Sequence, residues 1–171
     1  MLMGYDIQDL VEKVTGQVLS QQGKSAPASK EVRMTLATAR RVVEAVKRKA
    51  AEMGVNAVVA VADAGGNVIT VDCMDDAFIA SLDIAMNKAF TSVALKMPTA
   101  DLARLAAPNG SLYGIQHTNN GRIVIFGGGV PLVSDGKVIG GLGVSGGTAK
   151  EDTYLGSYGG ECFADMLKKG L

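Results

Sequence analysis

The 171-residue chain has no tryptophan, one histidine, four prolines and two cysteines. Cys73 and Cys162 form no CxxC motif and lack the CxxCH that attaches a c-type haem covalently, so that mode of attachment is excluded. So few thiols predict a reduced, cytoplasmic protein. No apolar run approaches the roughly 18 residues that a membrane span needs, and no leader pattern opens the chain. We therefore expect neither membrane insertion nor conventional secretion.

The charge is balanced, because Lys plus Arg and Asp plus Glu each number 17. No global field then favours nucleic acid or a membrane surface, so we expect neither as a partner. The chain has no internal repeat, and 47% of its residues are hydrophobic. A single domain of this length buries about two-thirds of its unfolded surface without a metal or disulfide.

The N-terminal residues differ in pattern from the rest. Residues 6–21 place apolar side chains at helical spacing, and a polar stretch follows: Ile7, Leu10, Val11, Val14, Val18. We interpret residues 1–22 as an amphipathic targeting or interaction helix, 23–34 as a flexible linker and 35–171 as the main domain. The helix packs either on its own domain or in a groove of a partner, and both interpretations stay open.

The main domain alternates helical and strand patterns. Apolar residues predict helices over 35–54, 79–96 and 99–105, strands over 55–62, 68–74, 123–126, 130–134 and 137–144, and a C-terminal helix. Asp135-Gly136 predicts a tight hairpin, and Thr148 with Glu151 predicts a capping box. The predicted fold class is α+β, with a central, mainly antiparallel five-stranded sheet flanked by helices.

Two glycine clusters follow predicted strands and mark candidate ligand-binding backbone. The clusters and the residues beside them could bind a carboxylate or phosphate, or could serve close packing: Gly127, Gly128, Gly129, Ser145, Gly146, Gly147, Thr148. Arg122 suits a bidentate grip on a carboxylate, although a solvated strand-edge arginine explains it equally. The GxGxxG and GxSxG matches in this segment lack the later strand or histidine that a dinucleotide site or a hydrolase needs.

Two further side chains are candidate site residues. Lys88 lies in a predicted helix between small or polar neighbours that would let it point into a pocket. His117, in the loop that follows the 99–105 helix, is the chain's only imidazole and is the candidate axial ligand for a haem iron.

Three segments together, Val59–Ala77, Ser81–Thr99 and Gly121–Gly147, resemble the GlcG/HbpS-like family, also called the haem-degrading domain family. The resemblance implies an α+β domain, homo-oligomers, and haem or corrinoid binding in some members. It carries over Lys88, Arg122 and the glycine clusters as site candidates. The family includes the C-terminal domain of PduO-type microcompartment proteins, whose adenosyltransferase activity belongs to a part that this sequence does not match, so we expect no adenosyl transfer.

The leading hypothesis is a binding protein for haem, a corrinoid or a small carboxylated metabolite, carried as cargo into a bacterial microcompartment. Residues 6–21 look like an encapsulation peptide that would dock on shell or cargo. Two alternatives stay open. One is a small enzyme acting on a carboxylated or aldehyde-derived metabolite, with Lys88 as acid, base or amine nucleophile, and the other is an oligomeric scaffold.

Overall fold

A computed structural model describes Gln8 and residues 32–170. Apart from Gln8, the predicted amphipathic helix and residues 23–31 of the predicted linker lie outside the described residues. One compact unit spans Val32–Leu171. Its described elements are, in chain order, α1 (Leu36–Glu52), β1 (Val58–Asp63), β2 (Val68–Cys73), α2 (Ile79–Ala94), α3 (Thr99–Leu105), two 3₁₀ turns (Ile115–His117 and Asn119–Gly121), β3 (Gly129–Ser134), β4 (Lys137–Ser145) and α4 (Ala149–Lys168).

The strands form one antiparallel sheet in the order β2-β1-β4-β3. The α+β class is therefore confirmed. The prediction of five strands is wrong, because the described residues form a four-stranded sheet. The two hairpins, β1–β2 and β3–β4, lie side by side through β1 and β4, so residues far apart in sequence meet at the centre of the sheet.

The missing strand is the predicted one over 123–126. Its backbone turns toward α2, where the Val124 N–H donates to Oγ1 of Thr91 at 3.0 Å. Ile123 is buried, so the apolar run does enter the core, but it does so as irregular chain. A four-residue apolar run has the same sequence pattern whether its backbone pairs with a strand or with a helix side chain. The pattern therefore predicted one strand too many.

The sheet separates two apolar layers because successive side chains of a strand point to opposite faces. Val59 and Val61 of β1 pack in the larger cluster, together with residues of α1 and α4. Ala60 and Ala62 pack in a smaller cluster with Ala85 and Ala89 of α2. Each face of the central strands is thereby covered by helix, which explains why β1 is hydrophobic and buried up to its last residue, Asp63.

The α2 side of the sheet is built from small residues, and this brings α2 very close. A Cβ placed on Gly143 of β4 would meet the backbone carbonyl of Ala85, and one on Gly141 would lie 2.6 Å from Oγ of Ser92. Close helix-to-sheet contact therefore requires glycine at both positions.

Two local predictions are confirmed. Asp135 and Gly136 have φ of 48° and 74°, the left-handed pair that a two-residue hairpin requires, and Ser134 pairs with Lys137. Thr148 caps α4, and both hydrogen bonds of the capping box with Glu151 are present.

Candidate functional site

Lys88 lies near the middle of α2, and its side chain is completely buried. Its Nζ donates to the Val144 carbonyl at 2.8 Å and to Oδ2 of Asp152 at 2.7 Å. The Phe126 ring lies over the same atom, with its centroid 4.8 Å away. An ammonium has three N–H donors, and here a carbonyl, a carboxylate and an aromatic face surround it. These three groups surround the ammonium within the part of the chain that the structure describes.

Burial and pairing act in opposite directions on this lysine. Desolvation lowers the pKa of Lys88 below its ordinary value of 10.5, while the hydrogen bond and the charge of Asp152 raise it. Desolvation is the larger of these effects, so the net direction is downward. A buried lysine with a depressed pKa is a common catalytic device, but this amine lies against its carboxylate and has no exposed surface from which to attack.

Asp152 is the site residue that sequence reasoning missed. Its two oxygens join separate elements, because Oδ2 accepts from Lys88 and Oδ1 accepts from the Gly147 N–H at 3.0 Å. The available signal was its position on the buried stripe of α4, which runs on through Leu155 and Phe163. A carboxylate at such a position requires a buried partner.

The turn before α4 is a candidate anion-binding segment by sequence, and the protein's own carboxylates accept from the N–H groups of Gly147 and Thr148. Gly147 donates to Asp152, and Thr148 donates through both N–H and Oγ1 to Oε2 of Glu151, at 2.7 and 2.8 Å. Ser145 is buried, and its Oγ donates to Oγ of Ser81 at 3.1 Å. The helix N-terminus therefore receives its negative charge from Glu151 and Asp152.

The glycine cluster at residues 127–129 packs against neighbouring elements. A Cβ on Gly128, whose φ is +116°, would lie 2.8 Å from Nζ of Lys88 and 2.5 Å from the Val144 oxygen. A Cβ on Gly127 would overlap Oγ1 of Thr153, and the Gly129 N–H already donates to the Thr99 hydroxyl at 2.8 Å. The packing interpretation accounts for all three glycines.

A small cleft lies beside this junction, with a volume of about 270 Å³. Its walls are mainly apolar, and Asp152 brings the one carboxylate to its lining: Phe78, Ala80, Ser81, Ile84, Phe126, Ser145, Gly146, Gly147, Ala149, Asp152. Phe78 is 71% exposed and the adjoining Ile79 98% exposed. The structure thus brings Lys88, Gly128 and the Ser145–Gly147 turn together around Asp152.

Arg122 and His117 lie outside the lining of this cleft. The Arg122 guanidinium stacks on the Phe90 ring at 3.7 Å, and its Nε approaches Oδ1 of Asn87 at 3.5 Å. Both of those contacts are with α2. His117 is exposed at the end of a 3₁₀ turn, where its Nε2 lies 3.3 Å from Nε2 of Gln116.

A larger groove, of about 540 Å³, lies along the junction of α1 and α4 on the other side of the sheet. We call it the α1–α4 groove, and its lining combines cationic, acidic and sulfur- or oxygen-bearing side chains: Arg40, Arg41, Glu44, Ala45, Arg48, Tyr158, Cys162, Asp165, Met166, Lys169. Its volume lies within the range of about 300–1,000 Å³ that small-molecule sites occupy.

Within the described part of the chain, no group of three or more His, Cys, Asp and Glu side chains could hold a metal ion. The same residues include no helix long and apolar enough to cross a membrane.

This architecture and its sequence match known proteins. A family model described as haem degrading protein HbpS-like matches residues 34–159. An uncharacterised 15.0 kDa protein of the dhaT-dhaS intergenic region of Citrobacter freundii is 47% identical over 78% of this chain and 94% of its own length. The corrinoid adenosyltransferase PduO of the same organism is 32% identical over 84% of this chain, which spans 43% of that relative.

A solved structure titled as a PduOC:heme complex has the same fold. It matches with a TM-score of 0.73 and 34% identity, over 76% of this chain and 94% of that one. The family match covers most of the chain, and the Citrobacter relative is similar over nearly its full length. The chain therefore belongs to the HbpS-like family, the family described as haem degrading proteins.

Proposed function

We propose that this chain is a tetrapyrrole-binding protein with haem as its ligand, and that it binds without covalent catalysis. The observation that supports binding without covalent catalysis is the pairing of Lys88 with Asp152. The pair leaves no free amine at this site, and the carboxylates of Asp152 and Glu151 accept from the N–H groups of Gly147 and Thr148, which a small carboxylated metabolite would need. What remains is a binding protein whose related structure was solved as a haem complex.

The side chains present fit haem. The α1–α4 groove contains a phenol, a thiol and a thioether, and each of these is a side-chain type that ligates haem iron in proteins: Tyr158, Cys162, Met166. Arginines line the same groove, and guanidinium groups bind carboxylates such as the two propionates of haem. Cobalamin carries amides in place of these carboxylates, so the charge of this groove favours haem over that corrinoid. Bound haem would supply an iron centre for ligand or redox chemistry.

The test is a pair of absorption titrations of the full chain, one with haemin and one with cobalamin. We expect a saturable Soret shift with haemin, and a weaker or absent change with cobalamin. Featureless spectra with haemin would contradict the proposal.

His117→Ala belongs in the same titration, because His117 is the axial ligand that sequence reasoning predicts. Loss of a low-spin Soret signal in this variant would support that role. An unchanged spectrum would assign the iron ligand to another side chain, and would leave haem binding itself intact.

We further propose that the chain is homo-oligomeric cargo of a bacterial microcompartment. The similarity to PduO supports the compartment, and the apolar spacing of residues 6–21 supports their use as an encapsulation peptide. Exposed Phe78 and Ile79 support association between copies. Deleting residues 1–22 should abolish co-sedimentation with purified shells while the sedimentation coefficient of the free protein still reports an oligomer. Unchanged co-sedimentation would contradict the proposal that the chain is cargo. A monomer in both forms would contradict the proposal that it is a homo-oligomer.

A further inference from the structure

The α1–α4 groove has an uncompensated positive charge. Its two acidic side chains are each paired with a lysine that does not line it, since Glu44 accepts from Lys47 at 2.7 Å and Asp165 from Lys168 at 2.9 Å. Its three arginines, in contrast, form no ion pair with any residue that the structure describes: Arg40, Arg41, Arg48. Lys169 adds a fourth cation to the lining. An anion that enters the groove would therefore meet arginines that no carboxylate of the described residues neutralises.

These cations are arranged to act together. Arg41 and Arg48 are seven residues apart on α1, which is two helical turns and therefore the same face. Arg40, which precedes Arg41 in α1, and Lys169, the C-cap of α4, also line the groove. Two anionic groups on one ligand can thus be bound at once.

Three uncharged side chains of α4 line the groove opposite the arginines, beside Asp165 and Lys169. Tyr158, Cys162 and Met166 recur every four residues, so they form one stripe along the helix, and all three are half-buried. Ala45 of α1 is buried beneath the groove. The stripe offers an aromatic ring, a thiol and a thioether to the groove, and all three are side-chain types that ligate haem iron.

A ligand that satisfies both walls has a planar apolar body and at least two carboxylates on one edge. We propose that the α1–α4 groove binds a dicarboxylate tetrapyrrole, with its carboxylates on the α1 arginines, its ring on the α4 stripe and Cys162 as the iron ligand. This inference rests on the proposed function, because it assigns the binding site of the same ligand. Cys162 is the central member of the stripe, with the apolar ring positions of the ligand extending over Tyr158 and Met166.

The carboxylate contacts can be tested without iron. Iron-free protoporphyrin IX is titrated by fluorescence into the full chain and into Arg41→Ala/Arg48→Ala. Because Arg41 and Arg48 are exposed, solvent screens each carboxylate contact, and losing both should weaken binding by about tenfold. The control Arg104→Ala/Lys150→Ala removes the same charge from exposed positions outside the groove and should change affinity by less than about twofold.

The iron ligand is tested with haemin on Cys162→Ser, with Tyr158→Phe and Met166→Leu beside it. We expect a shifted Soret band in Cys162→Ser alone, with retained affinity for the iron-free porphyrin. A shift confined to another of these variants, or to His117→Ala, would overturn the assignment of Cys162. Wild-type binding of haemin that the arginine pair does not alter would overturn the groove and leave the proposed function standing, whereas no haemin binding by wild type would overturn both.

Discussion

Lys88 and Asp152 join three parts of the fold at one point. The lysine belongs to α2, the carbonyl that it binds belongs to β4, and the aspartate belongs to α4 and also accepts from the turn at Gly147. A buried ion pair is weak evidence for net stability, since desolvation offsets its attraction. Breaking one, however, leaves a buried charge without compensation, and this makes the pair testable.

We expect Lys88→Met to lower the free energy of unfolding by about 3–5 kcal/mol in urea denaturation, because Asp152 then stays buried without its cation. The control Lys47→Met breaks two ion pairs that are more exposed to solvent than Lys88–Asp152. It should lower the free energy of unfolding by no more than about 1 kcal/mol. Lys88→Met/Asp152→Leu removes both charges and should be more stable than Lys88→Met alone. A double variant that is no more stable than Lys88→Met would contradict this account.

The sequence pointed to Lys88 and not to its partner. Small neighbours and the family resemblance marked the lysine, but nothing local in the sequence shows that it meets a residue 64 positions away. Similarly, the amides of the turn before α4 read as free in sequence, because a side chain that folds back onto its own helix terminus looks the same as one that faces solvent. Burial and pairing are properties of the tertiary fold.

At the scale of elements, α2 sets how closely helix and sheet approach. Its contacts with β4 run through backbone and small side chains, and glycines of β4 form the surface beneath it. The sequence predicted all of the major helices and both hairpins, since their periodicity and turn residues are local. It overcounted at residues 123–126, because the hydroxyl of Thr91 supplies the backbone partner that a neighbouring strand would otherwise supply.

A matched pair of glycine variants tests this close approach. Gly143→Ala places a methyl against the Ala85 carbonyl and should destabilise the protein by roughly 1–3 kcal/mol, as overpacking does. Gly160→Ala lies within α4, where the added Cβ meets only Val130 Cγ1 at 3.9 Å, so it should raise stability by up to about 1 kcal/mol. Thermal unfolding compares the two, and equal effects would contradict the close packing of α2.

The capping box of α4 predicts a pH dependence. The N–H and hydroxyl of Thr148 hold the pKa of Glu151 below its ordinary value of 4.5. A carboxylate with a lowered folded-state pKa adds stability that is complete above the unfolded value, and that stability is lost as the pH falls through the folded value. The stability gap between wild type and Glu151→Ala should therefore be constant near neutral pH and should shrink below about pH 4.5. Urea denaturation from pH 3 to 7 measures it, and a gap that widens at low pH would contradict the assignment.

At the scale of the whole molecule, the two faces of the sheet carry different features. The α2 face holds the closed junction of Lys88 and Asp152, and the α1 and α4 face carries the open cationic groove. The sequence did not reveal the groove, because its arginines and its α4 stripe are a hundred residues apart and read separately as ordinary amphipathic helices. Only the packing of α1 against α4 brings the arginines together with the phenol, thiol and thioether of α4.

The most direct measurement is an experimental structure of the full chain saturated with haemin. The account predicts one haem per chain in the α1–α4 groove, with its carboxylates within hydrogen-bonding distance of Arg41 or Arg48 and no covalent adduct on Lys88. An empty groove in crystals grown from excess haemin, or a haem bound elsewhere on the molecule, would contradict it.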